Sequence, residues 1–165
     1  MAYFWRVLNA FQRSALLPAT SRVKLLRLFG CKVHPTARLA ENIYIGSNKI
    51  YIEDGAFVNI GCFFDGSANV HVGRGVRVGP YVRILTGTHT YANNVMRRGP
   101  GSRDLSREVR IERGCWIGMG VSILPGVTIR EGCVVGAGSV VVRDTDPNGL
   151  YVGNPAKRLR DLPVE

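Results

Sequence analysis

The chain has 165 residues, enough for one domain with a buried core and tight for two. Apolar residues make up 45% of the sequence and charged residues 21%, a balance that excludes a disordered or fibrous chain. Lysine and arginine number 22 against 12 acidic residues, and this net charge of +10 predicts an anionic partner: nucleic acid, an anionic membrane surface or a phosphorylated cofactor.

Residues 1–30 are predicted to form one or two amphipathic helices, because apolar residues recur at helical spacing on both sides of Pro18. The segment holds five basic residues and no acidic residue. It is either a cap packed against the rest of the protein or a basic patch that makes peripheral contact with an anionic membrane. The sequence has no apolar run long enough to span a bilayer and no clean signal peptide, so we expect a cytoplasmic protein.

From residue 31 onward, an aliphatic residue recurs at every sixth position, with small insertions between triplets. Of the fifteen positions, fourteen are Val, Ile or Leu and one is Phe. They are Val33, Leu39, Ile45, Ile52, Val58, Phe64, Val72, Val78, Ile84, Ile111, Ile117, Ile123, Ile129, Val135 and Val141. Glycine often follows three residues later, and small or branched residues, including Cys62, Cys115 and Cys133, follow four residues later.

A period of six does not fit one face of a helix, but it suits a short strand followed by a corner. Three such units form a triangular coil, and stacked coils pair their strands in parallel. The sequence therefore predicts an all-β domain over residues 31–165, a parallel β-helix of about five coils with a non-repeating C-terminal tail, preceded by the helical cap of residues 1–30. In this pattern the three cysteines are small buried residues rather than disulfide partners or reactive thiols.

The repeat stops after Ile84 and resumes at Ile111, which predicts a protruding loop over residues 85–110. His89 stands near the start of this loop and is a candidate general base, with a structural hydrogen bond as the alternative role. His71 lies eighteen residues earlier, so we expect it one coil beneath His89. Two stacked histidines are a poor ligand set for zinc, and no metal is expected.

These features resemble the hexapeptide-repeat, left-handed β-helix acyltransferases, and among them the sugar O-acetyltransferases similar to the maltose, galactoside and capsule or exopolysaccharide enzymes. Besides His89, the resemblance is carried by Cys-Trp-Ile-Gly at 115–118, Ile-Leu-Pro-Gly-Val-Thr-Ile at 123–129, Val-Gly-Ala-Gly-Ser-Val-Val at 135–141 and Gly-Asn-Pro-Ala-Lys at 153–157.

The resemblance implies a homotrimer that moves an acetyl group directly from acetyl-CoA to a sugar hydroxyl, with His89 as the general base. A backbone amide within residues 118–120 is expected to hold the oxyanion. The residues expected to contact the acceptor are Asn59, Asp65, His71, Arg97 and Arg98. Those expected to bind coenzyme A are Trp116, Met119, Gly120, Ala137, Val142, Arg143, Lys157 and Arg160.

Two departures from the sugar enzymes concern the acceptor side. Residues 1–30 have no recognisable counterpart of their acceptor-binding N-terminal segment, and the loop after His89 is longer and rich in arginine. Both favour a larger or anionic acceptor in polysaccharide or glycolipid biosynthesis, such as a lipid-linked sugar or a polysaccharide unit.

The alternatives to this function are an N-acyltransferase acting on an amino sugar or small amine, and a non-catalytic β-helical scaffold. Nucleic-acid binding is not expected, because no recognition motif occurs.

Overall fold

A side chain at every sixth position can point into a triangular coil only if each six-residue unit turns one corner, and a computed structural model of the protein has this arrangement. The structure describes residues 2–89 and 104–164, with side chains from 5 to 89 and from 105 to 164. Within these ranges, about five coils form a left-handed parallel β-helix that follows two helices, as predicted.

The helices are α1 (Ala2–Gln12) and α2 (Ala19–Leu28). Three parallel sheets form the walls of the prism. Sheet A contains β1 (Lys32–Val33), β4 (Ile50–Ile52), β7 (Val70–Val72), β12 (Val109–Ile111) and β15 (Thr128–Ile129). Sheet B contains β2 (Arg38–Leu39), β5 (Phe57–Val58), β8 (Arg77–Val78), β13 (Trp116–Ile117), β16 (Val134–Val135) and β18 (Gly149–Gly153), with β19 (Ala156–Asp161) as an antiparallel edge. Sheet C contains β3 (Tyr44–Ile45), β6 (Phe63–Phe64), β9 (Arg83–Ile84), β14 (Ser122–Ile123) and β17 (Val140–Val141).

The interior of the prism is the predicted aliphatic column. All fifteen positions are buried, and none exposes more than 3% of its surface. At the corners, Gly114 and Gly120 have a φ of 69°, a left-handed conformation that strains a residue with a side chain. The hexapeptide period is thus explained by one buried residue and one corner in each unit.

The cysteines of the repeat are buried, as predicted. Cys62, Cys115 and Cys133 expose no more than 1% of their surface. Burial raises the pKa of Cys62 to about 11 and that of Cys115 to about 12, although nearby backbone hydrogen bonds act in the opposite direction. These two thiols therefore stay protonated and unreactive at neutral pH.

The two helices pack against the first coil. Leu8, Val23 and Leu26 are buried, and the Asn9 side chain bonds both backbone groups of Ile45, at 2.8 and 2.9 Å. The Gln12 amide donates to the Ile43 carbonyl oxygen. These contacts are those expected of a cap on the first coil, and contact with a membrane stays a prediction. No helix among the described residues has the length and apolarity needed to cross a bilayer.

Arg22 joins the helices to the coil from a buried position. Its guanidinium donates to the carbonyl oxygens of Gln12 at 2.6 Å and Leu39 at 2.7 Å, and to two carbonyls of the turn between the helices. Burial lowers the pKa of Arg22, with partial compensation from the charge of Glu41. The guanidinium thus supplies the hydrogen bonds that water would otherwise donate to four backbone carbonyl oxygens, and it ties the helical cap to β2.

Where the repeat is interrupted, the chain leaves the prism between β9 and β12. It forms β10 (Gly87–His89), which pairs antiparallel with β11 (Asp104–Ser106). A hydrogen bond of 2.8 Å from the Arg107 N–H to the Thr86 carbonyl closes the base of this hairpin. The sequence predicts a loop here, and the structure adds that the loop begins and ends as a two-stranded ribbon.

Candidate active site

A groove of about 720 Å³ runs along the outer surface of sheet B, and we call it the sheet B groove. It brings together four of the predicted site residues: Asn59, Trp116, Met119 and Ala137. Trp116 and Met119 expose 58% and 55% of their surface, which leaves two large apolar side chains open to a ligand. Phe57, Arg77 and Leu150, which the sequence analysis did not single out, also line the groove.

The backbone along this groove offers unused donors. The N–H groups of Gly118 and Gly120 donate within the prism, to Val135 and Pro80. Among the described residues, the N–H groups of Met119 and Ala137 have no acceptor, and these two residues lie in register on successive coils. Of the amides within 118–120 predicted to hold an oxyanion, the structure leaves that of Met119 available. Gly120 is a corner residue and does not line the groove.

His89 lies on β10, and its side chain is exposed at the edge of a second groove of about 540 Å³, the His89 groove. Phe63, Asp65, Leu85 and Ser106 also line it. The backbone of His89 pairs with Asp104 in the ribbon, so the imidazole is carried by a paired strand. An exposed imidazole in a groove can accept a proton from a hydroxyl group bound beside it.

Asp65 anchors the base of the ribbon that carries His89. One of its carboxylate oxygens accepts hydrogen bonds from the Thr86 N–H, the Thr86 hydroxyl and the Gly87 N–H, at 3.0, 2.9 and 2.6 Å. The Ser67 hydroxyl donates to the other oxygen at 3.1 Å. Burial acts to raise the pKa of Asp65, but these hydrogen bonds outweigh it and hold the pKa below its ordinary value. Asp65 is thus ionised and positions the strand two residues before His89.

Asn59 and His89 do not meet within one chain. Asn59 lines the sheet B groove, His89 lines the other groove, and no residue lines both. The Asn59 side-chain oxygen accepts a hydrogen bond of 2.8 Å from the Ile60 N–H, and its amide nitrogen has no partner among the described residues. That nitrogen remains available as a donor to a ligand in the sheet B groove.

The expectation that His71 lies beneath His89 is wrong. His71 is in sheet A, where its neighbours are Tyr51 and Arg110, and its ring stacks on Tyr51 at 4.4 Å. The chain leaves the coil before it reaches His89, so Arg110 takes the place above His71 that an uninterrupted repeat gives to residue 89. Burial lowers the pKa of His71, and the positive charge of Arg110 lowers it further. The carboxylates of Glu108 and Glu53 act in the opposite direction without reversing the shift.

The remaining predicted residues lie outside the two grooves. Val142 and Arg143 follow β17 on sheet C, and Lys157 and Arg160 lie exposed on β19 at the edge of sheet B. The guanidinium of Arg158, between them, donates hydrogen bonds to the Asp161 carboxylate and to the carbonyl oxygens of Asp146 and Pro147. Arg97 and Arg98 lie outside the described residues. Within the described ranges, no three His, Cys, Asp or Glu side chains are grouped to hold a metal ion.

The comparisons with known proteins agree with this arrangement. A family model described as Bacterial transferase hexapeptide (six repeats) matches residues 108–143. The chain is 42% identical over 109 residues to a putative acetyltransferase of Schizosaccharomyces pombe, and the match covers 66% of this chain and 51% of that protein. The chain thus spans about half the length of this curated relative.

Two solved structures are similar over nearly the whole chain. A maltose O-acetyltransferase from Clostridium difficile superposes with a TM-score of 0.89 at 29% identity, covering 99% of this chain and 87% of that one. A hexapeptide-repeat acetyltransferase from Vibrio cholerae superposes with a TM-score of 0.85 at 30% identity, covering 99% and 91%. The Vibrio protein has also been solved in complex with acetyl coenzyme A. The chain belongs to the hexapeptide-repeat acetyltransferases, as its sequence predicts.

One sequence-based expectation needs correction at this point. Coverage of 99% of this chain by the Clostridium enzyme extends the superposition over residues 1–30, so the cap has a structural counterpart in a maltose O-acetyltransferase. A sequence alignment with a galactoside O-acetyltransferase of Lactococcus lactis, 28% identical over 158 residues, also covers 94% of this chain and therefore extends into the cap.

Proposed function

We propose that the protein transfers an acetyl group from acetyl-CoA to a hydroxyl group of a saccharide, in the assembly of a polysaccharide or glycolipid. The observation that carries the proposal is the pair of grooves: one is apolar with unused backbone donors, and the other holds an exposed imidazole on an anchored strand. The names of the similar structures, a maltose O-acetyltransferase and an acetyltransferase in complex with acetyl coenzyme A, support both substrates.

In this proposal, coenzyme A lies in the sheet B groove. Trp116 and Met119 would cover the apolar part of the pantetheine arm, and the N–H groups of Met119 and Ala137 would donate to its carbonyl oxygens. Lys157 and Arg160 stand on β19, an edge strand of the same sheet, and supply fixed positive charge for the phosphates. Val142 and Arg143 would contact the cofactor only from the adjoining sheet C.

The reaction needs one base and one oxyanion donor. His89 removes the proton from the acceptor hydroxyl, and the oxygen attacks the thioester carbonyl carbon. The Met119 N–H is the candidate donor to the oxyanion of the tetrahedral intermediate. The intermediate collapses with cleavage of the carbon–sulfur bond, and the imidazolium returns its proton to the leaving thiolate. The products are the acetyl ester and free coenzyme A, without an acyl-enzyme.

The direct test is an acetyl-transfer assay on the purified protein, with mass detection of the product. Free coenzyme A and an acetylated saccharide are expected to form in equal amounts when acetyl-CoA and a hydroxyl-bearing oligosaccharide are supplied together. A matched oligosaccharide with one amino group in place of a hydroxyl is the control for acceptor chemistry. Exclusive acetylation of the amine would replace the proposal by N-acyl transfer, and the absence of any acetylated product would refute both.

We further propose that the active site is completed by a second subunit within a homotrimer. The outer surface of the prism is convex, so the sheet B groove needs a facing wall to enclose a ligand. Because Asn59 and His89 lie on different grooves of one chain, a neighbouring subunit can place its His89 against the Asn59 of this one. The site then lies at each of three equivalent interfaces.

This arrangement predicts complementation between two inactive variants. Asn59→Ala and His89→Ala, each inactive alone, are expected to regain about a quarter of the wild-type activity when co-expressed in equal amounts, because one interface in four joins two intact residues. The measurement is specific activity of the mixed oligomers, with each variant expressed alone as the control. Activity of the mixture no higher than that of the separate variants would show that each subunit uses its own two residues.

A further inference from the structure

A third groove adjoins the His89 groove on the side of the N-terminal cap. It has a volume of about 480 Å³ and lies between α1 and Tyr44, with Arg6 and Arg13 among its lining residues; we call it the α1 groove. Phe63 lines the His89 groove, and Tyr44 lies opposite Phe63 on the next strand of sheet C. The two rings are stacked, with centroids 4.8 Å apart and planes 6° from parallel.

This stacked pair joins the two grooves. Each ring contacts the other with one face, and Tyr44 lines the α1 groove whereas Phe63 lines the His89 groove. The ribbon of His89 leaves the prism after β9, two coils above β3, and two coil spacings are about 10 Å. An acceptor whose hydroxyl lies at His89 therefore has to be longer than one sugar ring to reach from Phe63 past Tyr44 into the α1 groove.

The charge of the α1 groove is positive and unbalanced. No acidic residue lines it, and residues 1–30 contain none. Arg13 donates to the side-chain oxygen of Asn42 at 2.9 Å, so its guanidinium is held in place without neutralisation. Arg6 is exposed and forms no ion pair or side-chain hydrogen bond with any residue that the structure describes. The carboxylate of Asp65 lies in the adjoining His89 groove, and both of its oxygens already accept hydrogen bonds from the same chain, so it does not pair with Arg6 or Arg13.

We propose that the α1 groove binds an anionic group of the acceptor, a phosphate or a carboxylate, next to the sugar that is acetylated. The inference rests on the proposed function and narrows its substrate class to acidic saccharides of at least two units. A planar guanidinium suits either group, because it can donate two parallel hydrogen bonds to a carboxylate or a phosphate. Tyr44 and Phe63 supply the apolar surface over which the sugar between the two ends passes.

The test compares three acceptors of equal length: a neutral oligosaccharide, one that ends in a uronic acid and one that ends in a phosphate monoester. At saturating acetyl-CoA, kcat/KM of the wild-type protein is expected to be at least tenfold higher for an acidic acceptor than for the neutral one. Arg6→Gln is expected to reduce this preference about tenfold, through KM rather than kcat. Lys24→Gln, an exposed cation on α2 outside all three grooves, serves as the matched control and keeps the preference.

Binding without acetyl-CoA separates this inference from the proposed function. In calorimetric titration, an acidic oligosaccharide is expected to bind the wild-type protein more tightly than the neutral one, and Arg6→Gln is expected to abolish the difference. This result upholds the inference even where no acetyl group is transferred. A preference for only one of the two acidic acceptors identifies the anion as carboxylate or phosphate. Equal binding and equal kcat/KM for all three acceptors, or identical behaviour of Arg6→Gln and Lys24→Gln, would overturn it.

Discussion

Replacement of His89 by alanine is expected to lower kcat by about 10²- to 10⁴-fold, the usual contribution of a positioned general base. The dissociation constant for acetyl-CoA is expected to change less than about twofold, because His89 acts on the acceptor hydroxyl and the proposed cofactor contacts, Trp116, Met119 and Ala137, are unchanged in the variant. Steady-state kinetics give the first quantity, and calorimetric titration with acetyl-CoA in the absence of an acceptor gives the second.

His34→Ala is the matched control for this prediction. His34 is an exposed imidazole just after β1, hydrogen-bonded to Thr36 at 2.8 Å, and it lines neither the sheet B groove nor the His89 groove. Its removal is expected to leave kcat unchanged. A His89→Ala variant with nearly normal turnover would remove the assignment of the base, and an equal loss of kcat in both variants would indicate a general effect on folding.

Replacement of Asp65 by alanine is expected to lower kcat by about 10²-fold with an intact His89 in place. The variant loses four hydrogen bonds to an ionised carboxylate, each of which contributes about 1.5–3 kcal/mol, and leaves the buried Thr86 without its acceptor. The ribbon then loses the anchor that fixes the direction of β10. Asp65 acts through His89 and is a positioning residue, so the variant should bind acetyl-CoA normally.

The same hydrogen bonds predict an acid dependence. Because the pKa of Asp65 is below its ordinary value in the folded protein, its stabilising contribution is complete above the unfolded pKa of about 3.9 and is lost as the pH falls through the folded pKa. Thermal unfolding should therefore show a smaller loss of stability between pH 5 and 3 in Asp65→Ala than in the wild type.

Asp54→Ala is the control for the loss of turnover expected in Asp65→Ala. The pKa of Asp54 is also lowered, first by the hydrogen bond from Thr36, but this carboxylate is exposed on the other side of the prism. Its removal is expected to leave kcat unchanged. Normal turnover in Asp65→Ala would show that the ribbon holds His89 without this anchor.

The coils of the β-helix could be predicted because their rule is local. Each unit of six residues carries its own buried residue, and many carry their own corner glycine, so the register is readable wherever the repeat continues. The burial of Ile117, Ile123 and Ile129 and the positive φ of Gly120 follow from spacing alone. The same rule explains why Cys115 and Cys133 are core residues rather than a redox pair.

The positions of residues in and around the insertion between β9 and β12 cannot be predicted from the sequence in the same way, because spacing no longer determines which residues lie on neighbouring coils. A spacing of eighteen residues predicts His71 beneath His89, yet the chain leaves the coil at Thr86 and the register restarts at Val109. The contact of Asp65 with Gly87 spans 22 residues and joins a regular coil to an insertion, so no periodic signal indicates it. The groove-lining residues Phe57 and Phe63 could have been found from the exposed position that precedes each buried aliphatic residue.

The pairing of the Asn9 side chain with Ile45 has a consequence for the end of the solenoid. A parallel stack has no inherent last coil, and the free edge of β3 would otherwise present unpaired backbone groups to any other strand, including one from another copy. The amide of Asn9 satisfies both backbone groups of Ile45 as an adjoining strand would, yet it brings no further strand with it. The cap thereby terminates growth of the sheet and protects the protein from end-to-end polymerisation into fibres.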